Sequence, residues 1–190
     1  MSLKFWEKTS PRGKRIVLVL ILFLFAILVT VAGILTPMSA QQIKDESNQL
    51  NQTQQEILKM DFIHRTGAIF LNNFEICLLM FVPIFGLVIG AITLFNTGSV
   101  LAAQTITENA GKATQIPPLL VFAALFLFPF TWLEFISYST ALSEGLWLIR
   151  RGSQGELKRE VKNLGKLILF TAALLAAGAF IEAFLIGVVG

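Results

Sequence analysis

Residues 117–151 read PPLLVFAALFLFPFTWLEFISYSTALSEGLWLIRR, and this stretch decides how the chain is arranged. Its apolar part, Leu119–Ile149, is too long for one straight transmembrane helix of about 20 residues and short for two. Pro129 lies where it can divide the stretch, because proline disrupts a regular helix. The sequence therefore predicts a proline-broken hairpin over residues 117–149, which either crosses the membrane twice or is re-entrant.

Basic residues on both sides of the apolar segments support the hairpin. Short basic loops tend to stay in the cytoplasm, and the hairpin returns the loop after Ile149 to the side of the amino terminus. We therefore expect a cytoplasmic amino terminus, an outer first loop, an inner basic loop and an outer carboxyl terminus in the cell membrane. The basic residues are Lys4, Lys8, Arg12, Lys14 and Arg15 in the amino-terminal arm and Arg150, Arg151, Lys158, Arg159, Lys162 and Lys166 in the loop.

The composition places most of the chain in lipid. Of 190 residues, 55% are hydrophobic and 14% charged, whereas soluble domains carry about 25% charged residues. Besides the hairpin, we expect a first span at 16–35, a kinked span at 68–95 and a last span at 167–189. The fold class predicted is all-α, a polytopic transmembrane helical bundle of four to five membrane segments, in a single membrane domain over residues 1–190.

Two stretches between the spans are more polar. In residues 38–65, Ile43, Leu50 and Ile57 recur every seventh position, which favours a solvated helix packed on neighbouring spans in the outer loop. In the kinked span, Pro83 is expected to bend the helix and the run at 96–98, Asn-Thr-Gly, to end or break it. Residues 99–116 would then form a connector.

Ionisable and amide groups at membrane depth are costly and need partners, so they are the candidate functional residues. Helical spacing places Asn72 with Glu75, and Glu134 with Tyr138 on a polar stripe. We expect the hairpin to bring the carboxylates near one another, either as structural hydrogen bonding or as a substrate or ion site. The candidate polar cluster comprises Asn72, Asn73, Glu75, Glu134, Tyr138, Glu144 and Glu182.

Three glycines are candidate helix-packing positions. Gly86 and Gly90 form a GxxxG pair in an apolar helix, which permits close backbone packing or dimerisation. Gly178 lies one turn before Glu182 and could admit another helix.

The sequence lacks the usual residue sets of catalytic centres. His64 is the only histidine, and the only aspartates, Asp45 and Asp61, lie in the polar loop. A zinc site of the HExxH type and a serine–histidine centre both need histidines that are missing. We therefore expect no enzyme, no cofactor and no metal site. We also expect no nucleic-acid partner, because basic residues in a membrane protein usually mark its cytoplasmic side.

Several landmarks together resemble the stage II sporulation protein M family of small membrane proteins. They are Phe70-Leu71-Asn72-Asn73, Gly86 and Gly90, Asn96-Thr97-Gly98, Pro129-Phe130-Thr131-Trp132-Leu133-Glu134, and Ile181-Glu182-Ala183-Phe184. Family members typically carry Pro-His-Gly-x-x-Glu where this chain has Pro129 to Glu134, so Phe130 and Thr131 replace the histidine and glycine. The founding member is associated with a cell-wall remodelling complex that includes a peptidoglycan hydrolase.

The resemblance implies a non-enzymatic integral membrane component of an envelope-associated complex. Its expected partners are the lipid bilayer and either further copies of the chain or other membrane and envelope proteins. The alternative is a transporter or channel subunit, because transporters use intramembrane carboxylates and broken helices for ions and substrates. The two classes differ in whether the carboxylates line a continuous wet path or pair in a dry interface.

Overall fold

The computed structural model describes residues 11–155 and 157–189, and within these ranges every regular element is a helix. The predicted all-α fold is therefore confirmed. Most of the amino-terminal basic arm, including Lys4 and Lys8, lies outside the described residues. The helices are α1 (Pro11–Leu35), α2 (Ala40–Lys59), α3 (Phe62–Met80), α4 (Phe85–Asn109), α5 (Pro118–Leu125), α6 (Pro129–Gly152) and α7 (Leu157–Val189).

Three helical segments of the described chain are long and apolar enough to cross a membrane: Gly13–Leu35, Phe85–Asn109 and Glu160–Val188. The pair α5–α6 passes the same criterion as one broken unit, giving up to four. Helix α3 does not qualify, because Arg65, the adjacent Asn72 and Asn73, and Glu75 interrupt its apolar sequence. The chain is a multi-pass membrane protein.

The break between α5 and α6 lies where Pro129 was expected to place it. Pro129 is the first residue of α6, and the two helices meet at 87°. The eight residues of α5 extend only about 12 Å. The segment 117–149 is therefore a sharply bent unit with one short arm, and its length excludes two complete crossings.

Helix α2 packs along α4 and exposes most of its length to solvent. Ser39 begins it with a capping box: the Ser39 hydroxyl accepts from the Gln42 N–H and the Gln42 side chain accepts from the Ser39 N–H. The seventh-position residues Ile43, Leu50 and Ile57 are half-buried, while most of their neighbours are exposed. The apolar spacing thus marks the face that packs on the bundle.

Helix α3 runs in the same direction as α6. Near its middle, Asn73 bonds to Glu134, early in α6, and at its end the Met80 carbonyl lies beside Gly145, late in α6. The chain then turns tightly: a Cβ on Gly86 would lie 2.2 Å from the Met80 carbonyl oxygen. Ile84, in the turn, has a φ of 67°, a left-handed conformation that is strained for a β-branched residue.

Helix α4 returns in the opposite direction. Gly90 packs on Leu142, near the end of α6 where Arg15 also binds. Gly98, two turns later, packs against Thr30, far along α1 from Arg15. The predicted kinked span 68–95 is therefore two helices that reverse direction at residues 81–84.

The expectation that the 96–98 run ends the helix is wrong, and so is the connector expected at 99–116, because α4 continues to Asn109. Gly98 serves a different purpose, since a Cβ there would lie 2.0 Å from the Thr30 carbonyl oxygen of α1. Gly33 on α1 makes the reciprocal approach to the Phe95 carbonyl. Glycine here permits two helix backbones to touch.

Helix α6 forms the centre of the bundle and is contacted by α1, α3 and α7. Its buried side chains include apolar Phe135 and Leu142 and several polar residues. We call the end of the bundle that holds Arg15 and Arg150 the basic end, and the end that holds α2 the cleft end. Both the start of α1 and the loop between α6 and α7 lie at the basic end, as the ion pairs of Arg15 show.

Candidate functional site

Four of the predicted polar residues meet inside the bundle, and we call Asn73, Glu134, Tyr138 and Glu182 the carboxylate cluster. The Asn73 amide donates to Glu134 Oε1 at 2.7 Å, and the Tyr138 hydroxyl donates to Asn73 Oδ1 at 3.1 Å. Glu182 on α7 is near enough to Glu134 to interact electrostatically with it. Glu134 is thus held by a neutral donor and lies beside a second carboxylate, that of Glu182. Among the described contacts, no cation pairs with either of the two.

Glu182 also lines a cleft of about 560 Å³ at the cleft end. Helix α2 forms one wall, the start of α6 forms a second with Phe128 and Phe130, and the end of α7 forms the third. A volume of this size is typical of a binding pocket, and its walls are mostly apolar with few polar groups. Its further lining residues are Leu50, Thr53, Gln54, Ile57, Leu58, Leu185 and Ile186.

Three other predicted residues lie elsewhere. Asn72 is exposed and donates to Asn73 Oδ1 at 3.4 Å, at the margin of the carboxylate cluster. Glu75 is exposed on α3, one turn of helix from Asn72 but away from Glu134. Glu144 lies ten residues beyond Glu134 on α6, about 15 Å along the helix, and therefore does not join the cluster.

Two side chains of the segment 129–134 bond across the bend to the end of α5. The Thr131 hydroxyl donates to the Leu125 carbonyl at 2.8 Å, and the Trp132 indole donates to the Phe126 carbonyl at 2.8 Å. These bonds satisfy carbonyls at the end of α5, which a helix end leaves without partners. Helix α6 has no side-chain cap, and Glu134 accepts from the side chain of Asn73.

The glycines predicted to pack against helices differ in how closely they are approached. A Cβ on Gly86 would clash with the Met80 backbone, and one on Gly90 would lie 2.9 Å from a Leu142 methyl group. Gly178 is looser, with the Leu133 Cβ at 3.6 Å. Gly86 and Gly90 face groups of their own chain.

A second polar cluster, at the basic end, escaped the sequence analysis. Arg15 donates to Glu144 Oε2 at 2.9 Å and also pairs with Glu160, which lies 3.6 Å from Arg151. The guanidinium of Arg15 lies 5.0 Å from the ring centroid of Trp147. We call these five residues the ion-pair cluster. The available signal was charge: Arg15 begins the first span, and Glu144 is an acidic residue in an apolar segment.

The chemistry open to these clusters is the holding and exchange of protons and the recognition of cations or hydrogen-bond donors. Among the residues that the structure describes, no group of three or more histidine, cysteine or acidic side chains is arranged to hold a metal ion. The one cysteine, Cys77, is buried beneath the carboxylate cluster, with its thiol 3.8 Å from the Ser137 carbonyl.

Comparison with curated proteins and with solved structures gives no match. The sequence profile described as Stage II sporulation protein M matches residues 17–185. This range includes the bend at Pro129, the carboxylate cluster and most of the ion-pair cluster. The chain belongs to the stage II sporulation protein M family.

Proposed function

We propose that this protein is a non-enzymatic membrane component of an envelope-associated assembly. The observation that carries the proposal is the separation of its two polar clusters by a tightly packed layer. Glu134 and Glu144 are held by different partners at different depths. A path for ions or substrates would require polar groups free to contact them between the two sites. The hydroxyls of Ser137, Ser139 and Thr140 lie between them, but each donates to a carbonyl of its own helix.

The intervening layer is closely packed. Cys77, Met80 and Leu175 are fully inaccessible, and Leu142 is 1% exposed. These side chains come from α3, α6 and α7, so three helices close the interior between the clusters. Such an interior suits a rigid scaffold better than a conduit.

The partner is expected at the cleft end, where α2 displays a polar surface. Asn48 and Gln52 lie on the side of α2 opposite Ile43 and are exposed. In the proposed topology, the basic end faces the cytoplasm because it carries the basic loop. Helix α2 then faces the cell envelope, and its partner is an envelope protein with a polar domain on that side, as the family resemblance implies.

Site-specific photocross-linking in cells tests this proposal. A photoreactive phenylalanine analogue placed at Asn48 or Gln52 should form an adduct with the same envelope protein from both positions. Matched controls at Leu24 and Leu169, exposed apolar positions on α1 and α7, should not give that adduct. Adducts that differ between the two α2 positions, or that also form from the controls, contradict the proposal.

The transporter or channel alternative is favoured by one specific observation, the cleft that ends at Glu182 beside Glu134. Broken helices and paired carboxylates occur in transporters at substrate and ion sites. Purified protein in sealed liposomes distinguishes the two functions. The scaffold predicts proton and sodium fluxes equal to those of protein-free liposomes, whereas a flux that Glu134→Gln abolishes establishes transport.

A further inference from the structure

A pocket of about 210 Å³ opens at the basic end, between the start of α1 and the end of α6. Among the residues that the structure describes, five side chains line it, of which three are cationic and none is acidic. We infer that this pocket binds the phosphate headgroup of an anionic phospholipid. The lining residues are Lys14, Trp147, Arg150, Arg151 and Gln154.

The charge balance around the pocket favours an anion. Two carboxylates, Glu144 and Glu160, pair with the cations there, and they are only 2% and 4% exposed. Around the pocket, four of the described side chains are cationic, Lys14, Arg15, Arg150 and Arg151, and two are acidic. The Arg150 side chain is exposed at the surface. Basic residues near a membrane surface attract anionic lipids.

The hydrogen-bonding groups at the pocket are also unbalanced. Guanidinium groups of Arg15, Arg150 and Arg151 lie 5.0, 5.5 and 5.3 Å from the Trp147 ring centroid. Arginine and the indole N–H only donate. The buried Trp147 Nε1 has no acceptor among the described residues, and the Gln154 oxygen already accepts from Arg151. A phosphate supplies several acceptor oxygens to such a set of donors.

An apolar groove beside the pocket identifies the source of the phosphate as a lipid. This groove, of about 290 Å³, lies between α1 and α7 and contains Leu20, Leu167 and Phe170. Arg15 lines the groove at one end and also contacts Trp147 of the pocket. Leu20 and Phe170 are 59% and 50% exposed. The phosphate headgroup of a phospholipid would occupy the basic pocket, and its acyl chain would lie in the adjacent apolar groove.

Lipid titration of the full chain in detergent, followed by native mass spectrometry, tests the inference. The probes are phosphatidylglycerol, phosphatidylcholine and inorganic phosphate. We expect phosphatidylglycerol to bind tightly and phosphatidylcholine weakly. The double variant Lys14→Gln/Arg150→Gln should weaken phosphatidylglycerol binding by about tenfold or more, since each basic group near the surface contributes roughly a fivefold factor.

The matched control is Lys162→Gln/Lys166→Gln, which removes the same charge from exposed positions on α7 outside the pocket. It should change the affinity less than the pocket variant does. Equal losses in both variants, or equal binding of the two lipids, would overturn the inference. Full displacement of the lipid by inorganic phosphate would assign the pocket to free phosphate and overturn the lipid assignment.

Trp147→Phe keeps an aromatic ring under the guanidinium groups and removes the N–H, so it provides a test even if the double variant fails to fold. We expect phosphatidylglycerol to bind roughly tenfold more weakly, the value of one hydrogen bond to a charged acceptor. Unchanged affinity in a folded Trp147→Phe protein would contradict the role assigned to the indole.

Discussion

The carboxylate cluster and the ion-pair cluster place acidic groups in one helix bundle by two different means. At the cleft end, Glu134 accepts a hydrogen bond from the neutral amide of Asn73. At the basic end, Glu144 is held by the charged guanidinium of Arg15. Glu134 therefore has a neutral hydrogen-bond donor as its partner, whereas Glu144 has a cation of opposite charge. The hydrogen-bonded arrangement at Glu134 is suited to proton exchange, and the ion pair at Glu144 is suited to a structural contact between helices.

In the proposed topology the two clusters lie toward opposite membrane faces, and this prediction has an all-or-none outcome. In a Cys77→Ala background, cysteines at Gln54, beside the cleft, and at Ser153, beside the ion-pair cluster, should label from opposite sides. Both positions are exposed, so a membrane-impermeant maleimide can reach them. Labelling of the two from one side of intact cells would refute the topology.

Removing the cation of the ion-pair cluster should have the largest energetic effect. Arg15→Gln leaves Glu144 and Glu160 without their shared partner, and breaking a buried pair costs about 3 kcal/mol or more. We expect the free energy of unfolding to fall by this amount, as measured by denaturant titration in detergent micelles. The double variant Arg15→Gln/Glu144→Gln should recover part of it, because one unpaired charge is removed. No recovery would indicate that Arg15 acts mainly through Glu160.

At Glu134, the free energy of unfolding should depend more on the presence of a hydrogen-bond acceptor than on the negative charge. Glu134→Gln keeps an acceptor for Asn73 and relieves repulsion with Glu182, so stability should stay within about 0.5 kcal/mol of the parent. Glu134→Ala leaves the Asn73 amide without its acceptor and should cost about 2 kcal/mol. The same unfolding titration measures both. If Gln proves as harmful as Ala, the charge at Glu134 is itself structural and the distinction between the clusters fails.

Tyr138→Phe should give the smallest effect of the set. The change removes one donor to Asn73 Oδ1 and keeps the buried ring, so the loss should be about 1 kcal/mol. Asn72 also donates to that oxygen, which moderates the loss. Tyr138→Phe in the Asn72→Ala background should therefore cost more than in the parent. A loss of unfolding free energy as large as that of Arg15→Gln would show that the neutral hydrogen bonds stabilise the bundle as much as the ion pairs do.

Local chemistry made much of the architecture predictable. Apolar length and charge placement predicted the spans, and Pro129 predicted the break, because a proline's effect on a helix depends little on its surroundings. Asn73, Glu134 and Glu182 could be selected from their cost in lipid alone. That reasoning identifies residues that need partners without identifying which partners they find.

The features that sequence reasoning missed depend on contacts between distant parts of the chain. Gly98 was taken for a helix end because glycine serves both as a terminator and as a site of close approach, and only α1 distinguishes the two. Glu144 was assigned to the wrong neighbours because its partner, Arg15, precedes it by 129 residues. Arg65 likewise donates to carbonyls of Ile57 and Ala183, which no local pattern indicates.

The hydroxyl groups of α6 bear on how the chain can be inserted during synthesis. Ser137, Ser139 and Thr140 donate to carbonyls four residues earlier in the same helix, so their polarity is satisfied before any other helix arrives. This lets α6 reside in lipid as an unassembled segment. Glu134 and Glu144 are the exceptions, because their partners, Asn73 on α3 and Arg15 on α1, belong to other helices. Both of these helices precede α6 in the chain and are therefore synthesised before the acidic residues that they bind.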